Sequence, residues 1–258
     1  MTRMADGSAG DADYGVIART YTDHRRPDPR IAAAVHRALG DARTVLNIGA
    51  GAGSYEPLDR EVTPVEPSAS MRAKRPDTLP AALDAVAESL PFPDGAFDAA
   101  MTTFSVHQWR DLETGLAEAR RVTAGPVAVL TCDPALVCDF WLHEYAPEVL
   151  DTEARRYPAI ADLAAGLGGA TSVVPVPVPL DCSDGFNEAY YGRPEGLLEV
   201  GARLSCSSWS FVDEAVHERF TAHLSRDLAD GTWDRRFGHL RGVPELEGSL
   251  VLVVSVPD

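Results

Sequence analysis

Two groups of residues in this 258-residue chain have the types and spacing to do chemistry. The first is Gly49, Gly51 and Gly53, at alternate positions where the apolar run Val45-Leu46-Asn47-Ile48 stops. A short β-branched and apolar run bounded by glycine reads as a buried strand. The glycines let a ligand approach the main chain without meeting a Cβ. A nucleotide-like ligand is expected there, at the carboxyl end of a parallel strand. Glu66 follows Gly49 by 17 residues and ends the next apolar run. An acid at that place accepts hydrogen bonds from ribose hydroxyls; the alternative is a solvated glutamate before the Pro67 turn. The second group centres on His107, in Ser105-Val106-His107-Gln108-Trp109, directly after an apolar strand. An imidazole that titrates near ~6.5 can take a proton from a phenol, hydroxyl, amine or carbon acid; otherwise His107 shapes the pocket as a hydrogen-bonded loop residue.

The elements that must position these groups follow from the pattern. Residues 1–13 are small and polar and are expected to be disordered. Tyr14 and Tyr21 fall on one helical face, and Pro27 and Pro29 make a rigid turn. A helix from Ile31 to Leu39 is then stopped by Gly40. Tyr21 and Arg25 or Arg26 either fold over the glycine loop or belong to a helix that only covers the sheet. Strands are expected at 61–66, 83–87, 99–105 and 127–131, with Ser68 capping a short helix over 69–74 and a further helix over 112–122. Prolines at 175, 177 and 179 share one parity, which an edge strand tolerates and a central one does not. Residues 249–256 read as a final strand, and the 68 residues from 181 to 248 exceed what a hairpin needs.

At the stretch Leu90-Pro91-Phe92-Pro93-Asp94-Gly95-Ala96-Phe97-Asp98 the sequence resembles a known family. Together with G-x-G-x-G, Val65-Glu66-Pro67-Ser68 and Glu118-Ala119-Arg120-Arg121-Val122, it is similar to class I S-adenosylmethionine (SAM) dependent methyltransferases of the ubiquinone-biosynthesis type, or type 11, over about residues 44–133. The resemblance implies an α/β fold: a Rossmann-like, seven-stranded, mostly parallel sheet with an antiparallel last strand and helices on both faces. Residues 14–258 are expected to form one domain with inserted cap elements at about 134–170 and 181–248. It implies SAM as cofactor, with Asn47, Gly49, Ala50, Gly51 and Gly53 at the methionine portion and Glu66, Pro67 and Ser68 at the ribose. Met71, Ala87 and Glu88 would pack the adenine, Ser105 would border the same site, and Tyr21 and Arg25 would approach from the amino terminus. Two positions depart from the family: Asn47 stands where an acid is common, and Val86 where an aspartate is frequent. Adenine recognition would therefore rest on Glu88 or the backbone at Ala87.

His107 is the candidate catalytic base. Trp109, Trp141, Tyr190, Tyr191 and Trp209 are candidates for an acceptor pocket, with cap core as the alternative for each. His143-Glu144 is followed by Pro147 where a zinc protease motif needs histidine, and four scattered cysteines show no C-x-x-C, so no metal is expected. A formal net charge of -16, with no basic run, argues against nucleic acid as partner. No apolar run reaches ~18 residues, so no membrane span is expected, and the cysteine usage suits a cytoplasmic protein. The expected activity is methyl transfer to a small molecule. A non-catalytic SAM-binding protein and a nicotinamide-dependent oxidoreductase are the rivals.

Overall fold

The structure, a computed structural model, describes residues 23–257; Tyr21 and the 1–13 segment lie outside the described residues. The chain runs α1 (Pro29–Ala38), β1 (Thr44–Ile48), β2 (Glu61–Val65), α2 (Ala69–Arg72), β3 (Ala99–Thr103), α3 (Leu112–Arg121), β4 (Val127–Cys132), α4 (Leu142–Tyr145), α5 (Pro147–Arg156), α6 (Ile160–Leu167), β5 (Ala170–Pro175), β6 (Val178–Pro179), α7 (Val200–Leu204), α8 (Glu214–Ala229), α9 (Thr232–Phe237), β7 (Glu245–Leu246) and β8 (Leu250–Val256). The main sheet has the order β2-β1-β3-β4-β8-β5. The first four strands are parallel, and β8 runs antiparallel between β4 and β5. β6 and β7 form a separate antiparallel pair.

Alternation along the strands builds the two faces. In β4, Ala128, Leu130 and Cys132 join one apolar cluster, while Val127 and Val129 join the other. The first cluster takes Ile31, Val35 and Leu39 of α1, and with them Trp141, Tyr191, Trp209, Phe220 and Trp233. The second takes Leu116 and Ala119 of α3 with Leu163 and Leu167 of α6. Every β4 residue is buried, as a central strand covered on both sides must be. α1 starts where its sequence says it should: the Asp28 carboxylate accepts from the Arg30 N–H, and Pro29 holds the first turn.

Two expectations about the sheet are corrected. Its seven strands are six among the described residues. The 83–87 segment makes one parallel bridge, Val65 to Leu83, after which Val86 bridges Ser89 and the chain turns away. Leu83 gives its N–H to Pro64 and accepts from Glu66, so the segment holds one rung of ladder beside β2. The edge strand ends at Pro175 instead of including Pro177 and Pro179. Val176 still donates to Leu250, but Pro177 and Pro179 have no N–H with which to continue, and the chain crosses to pair with β7.

Candidate active site

The glycine loop is held by strand ends and by an acid. The Val65 carbonyl accepts from both Gly49 and Ala50, at 3.0 and 2.9 Å. Glu66 then bridges the loop and the next turn: one oxygen accepts from Gly51 N–H and the other from Ser68 N–H, each at 2.8 Å. A carboxylate at this corner can also accept from ribose hydroxyls. Arg72 donates to the carbonyls of Glu66 and Pro67 and fixes this corner from α2. Gly49 has φ +69°, and a Cβ there would lie 1.8 Å from Ser105 Oγ. At Gly51, φ +52°, a Cβ would come within 3.3 Å of the Met71 methyl. The loop is thus pressed against Ser105 on one side and Met71 on the other.

Beneath the loop lies a buried polar chain that sequence reasoning missed. Asn47 Nδ2 donates to Glu56 at 2.9 Å, and the other Glu56 oxygen pairs with Arg75 at 2.8 Å. Arg75 also donates to the carbonyls of Pro80 and Gly51. Asn47 Oδ1 is buried and accepts no hydrogen bond among the described residues. That orphan acceptor, the glycine cradle and the Glu66 carboxylate fit the ammonium, backbone and ribose of a SAM molecule.

The adenine-side residues divide. Ala87 is buried, but Glu88 turns one oxygen to the N–H groups of Arg110 and Asp111, capping the approach to α3. Trp109 donates to Ser105 at 3.2 Å and packs on Gly115, so it buttresses the loop.

A small, partly open cavity of about 40 Å³ lies beyond the end of β3, lined by Arg25, Phe104, His107, Glu153, Arg156, Tyr157, Phe186, Asn187 and the 205–208 turn. His107 is there, as its place after the strand requires, with its ring 4.7 Å from that of Tyr157. Burial holds the Tyr157 hydroxyl well above its ordinary pKa. Glu153, Arg156 and Tyr157 come from one face of α5 and its end, at i, i+3 and i+4. Burial raises the Glu153 carboxyl, although Asn187 and Ser208 both donate to its Oε2. Trp209 fixes Asn187 from behind, at 2.9 Å.

Arg25 does not stand alone by the loop. It pairs with Asp184, lies 5.1 Å from the centre of the Phe104 ring, and shares Asp184 with the Tyr55 hydroxyl. The aromatic candidates fall elsewhere. Trp141, Tyr191 and Trp209 are buried in the core with their polar tips bonded to Tyr191 O, Val243 O and Asn187. Tyr190 packs on Arg193 and Gly196. None of them lines this cavity. Glu153, Arg156, Asn187 and Asp184 were not legible as site residues, apart from the i, i+3, i+4 spacing on α5.

Residues 46–125, from within β1 to the turn just before β4, match the type 11 family model described as a methyltransferase domain. The matched domain and the fold are consistent with a class I methyltransferase and support an enzyme whose cofactor is SAM. Among solved structures it is similar to a protein of Anabaena variabilis assigned as a methyltransferase of an antibiotic biosynthesis pathway, with 27% identity, TM-score 0.83, and 90% of this chain and 98% of the other covered. It shares its fold with a SAM-dependent methyltransferase of Thermotoga maritima, at 19% identity, TM-score 0.52 and 95% and 93% coverage. It also shares it with a 4+2 cyclase, SpnF, at 16% identity, TM-score 0.51 and 88% and 80% coverage. No curated protein matches the sequence. No helix among the described residues is long and apolar enough to cross a membrane.

Proposed function

We propose that this enzyme methylates a small molecule held in the cavity between His107 and Glu153, with the 134–170 and 181–248 segments acting as the cap that selects it. The carrying observation is the cavity itself: it lies beyond the carboxyl end of β3, it is lined by Phe104, whose neighbour Ser105 packs on Gly49, and by groups that can move a proton. The cofactor supplies an electrophilic methyl group whose bond to sulfur breaks as the acceptor bonds to carbon. Asn47, Gly49 to Gly53, Glu66 to Ser68, Met71, Ala87, Glu88 and Ser105 would hold it. Alignment and exclusion of water do most of the work in such a displacement, and a base is needed only where the acceptor must lose a proton. His107 and Glu153 are the two groups placed to take that proton, and the raised Glu153 carboxyl is the more basic for its type. Phe104 and Phe186 give the cavity apolar walls. A small polar acceptor with an apolar body fits this lining, in a soluble cytoplasmic enzyme of small-molecule metabolism; a nucleic acid does not fit the chain's charge.

Calorimetry with SAM, S-adenosylhomocysteine and NAD tests the cofactor half. Both sulfur ligands bind, NAD does not, and Glu66→Ala weakens them at least tenfold, or about 1.4 kcal/mol. NAD binding without SAM binding, or no heat from folded protein, overturns the reading. Acceptors are then screened by S-adenosylhomocysteine release. Glu153→Gln and His107→Asn lower turnover while leaving S-adenosylhomocysteine affinity within about twofold (about 0.4 kcal/mol). The same fold also serves a cyclase, so a SAM-binding protein with no methylated product is the second reading. Tight binding without S-adenosylhomocysteine release across the screen favours it.

A further inference from the structure

We infer that Cys138, His143 and Asp151 form a binding site for a divalent transition-metal ion, zinc in the first place, on the outer side of α5. The three come from different local structures: Cys138 from the turn after β4, His143 from α4, and Asp151 from the middle of α5. Their ligand atoms converge. His143 Nε2 is 3.1 Å from Asp151 Oδ1, Cys138 Sγ is 3.8 Å from the same oxygen, and all three lie within 4.8 Å of one another. Zinc bonds of about 2.3 Å to sulfur and about 2.0 Å to nitrogen and oxygen, at tetrahedral angles, set donors roughly 3.3–3.6 Å apart. The 3.1 and 3.8 Å separations fall close to that spacing, so small side-chain rotations close the site, with water in the fourth position.

The donor set selects the ion. A thiolate, an imidazole and one carboxylate suit zinc and its neighbours, whereas magnesium and calcium want oxygen alone. Sequence spacing hid the site, since the ligands follow C-x4-H-x7-D and show no C-x-x-C. An ion there would tie the turn after β4 to α5, the helix that carries Glu153 and Arg156 on its cavity side.

The test uses tag-free, full-length protein titrated with Co(II) and, separately, with Zn(II). The site predicts one equivalent of Co(II) giving the thiolate-to-cobalt charge-transfer band in the near ultraviolet and the visible bands of four-coordinate cobalt. Zn(II) should bleach both. Cys138→Ser abolishes the charge-transfer band, and His143→Gln and Asp151→Asn each weaken Zn(II) binding at least tenfold by calorimetry. Asp151 and His143 are partly exposed, so these variants should fold, which circular dichroism checks. Absence of the bands, or bands that survive Cys138→Ser, overturns the assignment and leaves His143–Asp151 as an ordinary ion pair. Binding of S-adenosylhomocysteine is independent of this outcome.

Discussion

Asn47 shows what one atom type decides. The family resemblance places an acid there, yet the side chain here donates through Nδ2 to a Glu56 carboxylate already paired with Arg75. A carboxylate at 47 would face another at hydrogen-bond distance, and two such groups cannot both ionise. Asn47→Asp therefore keeps a proton in the folded state that the unfolded chain gives up near pH ~4. Its folded pKa is raised, so the cost of the substitution is small below pH ~4 and grows as pH rises toward the raised value. Denaturant unfolding of Asn47→Asp should show a deficit of roughly 1–3 kcal/mol against the wild type at neutral pH, shrinking in acid. A deficit independent of pH would mean that Glu56 turns away and the buried chain is not fixed as described. The buried Oδ1 accepts no hydrogen bond among the described residues, so it is open to the ammonium group of the proposed cofactor.

At the scale of elements, α1 offers the clearest titration. Asp28 caps it from a fully buried position, and although burial acts to raise its pKa, hydrogen bonds from Arg30 and Ser183 outweigh that and bring it to about 2. A carboxyl depressed on folding contributes its stability above the unfolded value and loses it as pH falls through the folded one. The shift from 3.8 to about 2 corresponds to about 2 kcal/mol, present above pH ~4 and lost toward pH ~2. Asp28→Asn keeps a capping oxygen but no charge, so it should lower stability at pH 6 by about that amount and flatten the acid limb of the unfolding curve. An unchanged acid limb would assign it to other carboxylates. Elements of this kind were legible, because a cap, a proline and an apolar period are local signals. The helices at 29–38 and 112–121 and five of the six strands stood close to where the pattern put them. The 83–87 strand failed because a β-like run says nothing about whether a neighbour offers a second rung. In the site, the glycine loop and Glu66 were legible as neighbours along the chain. Glu153 and Asp184 were not, since their partners lie 34 and 129 residues away and leave no periodic trace. The tryptophans misled for a related reason: a large ring with a polar tip suits a pocket wall and a core equally, and only the fold decides.

For the whole molecule, Asp184 ties together three parts of the chain that carry the two halves of the site. It accepts from Arg25 of the amino-terminal segment and, at 2.7 Å, from Tyr55 at the end of the glycine loop, while itself belonging to the segment after β6. Backbone pairing of Arg25 with Asp184 and of Gly185 with His24 draws the same segments together. Tyr55 has φ +65°, a left-handed backbone that costs a non-glycine residue about 1–2 kcal/mol. Its buried ring and its bond to Asp184 hold it there. If this node couples the loop to the acceptor cavity, Tyr55→Phe and Asp184→Asn should each weaken S-adenosylhomocysteine several-fold, though neither residue is among the cofactor ligands proposed. The double variant should fall short of the sum, because each single change already breaks the shared bond. A double-mutant cycle by calorimetry, with circular dichroism on all four proteins, measures the coupling. A coupling of about 1 kcal/mol or more makes Asp184 the joint through which cavity and cofactor loop are positioned together. Strict additivity would mean that Arg25 and Tyr55 are held independently and that the cavity can be altered to accept another substrate without disturbing the cofactor loop.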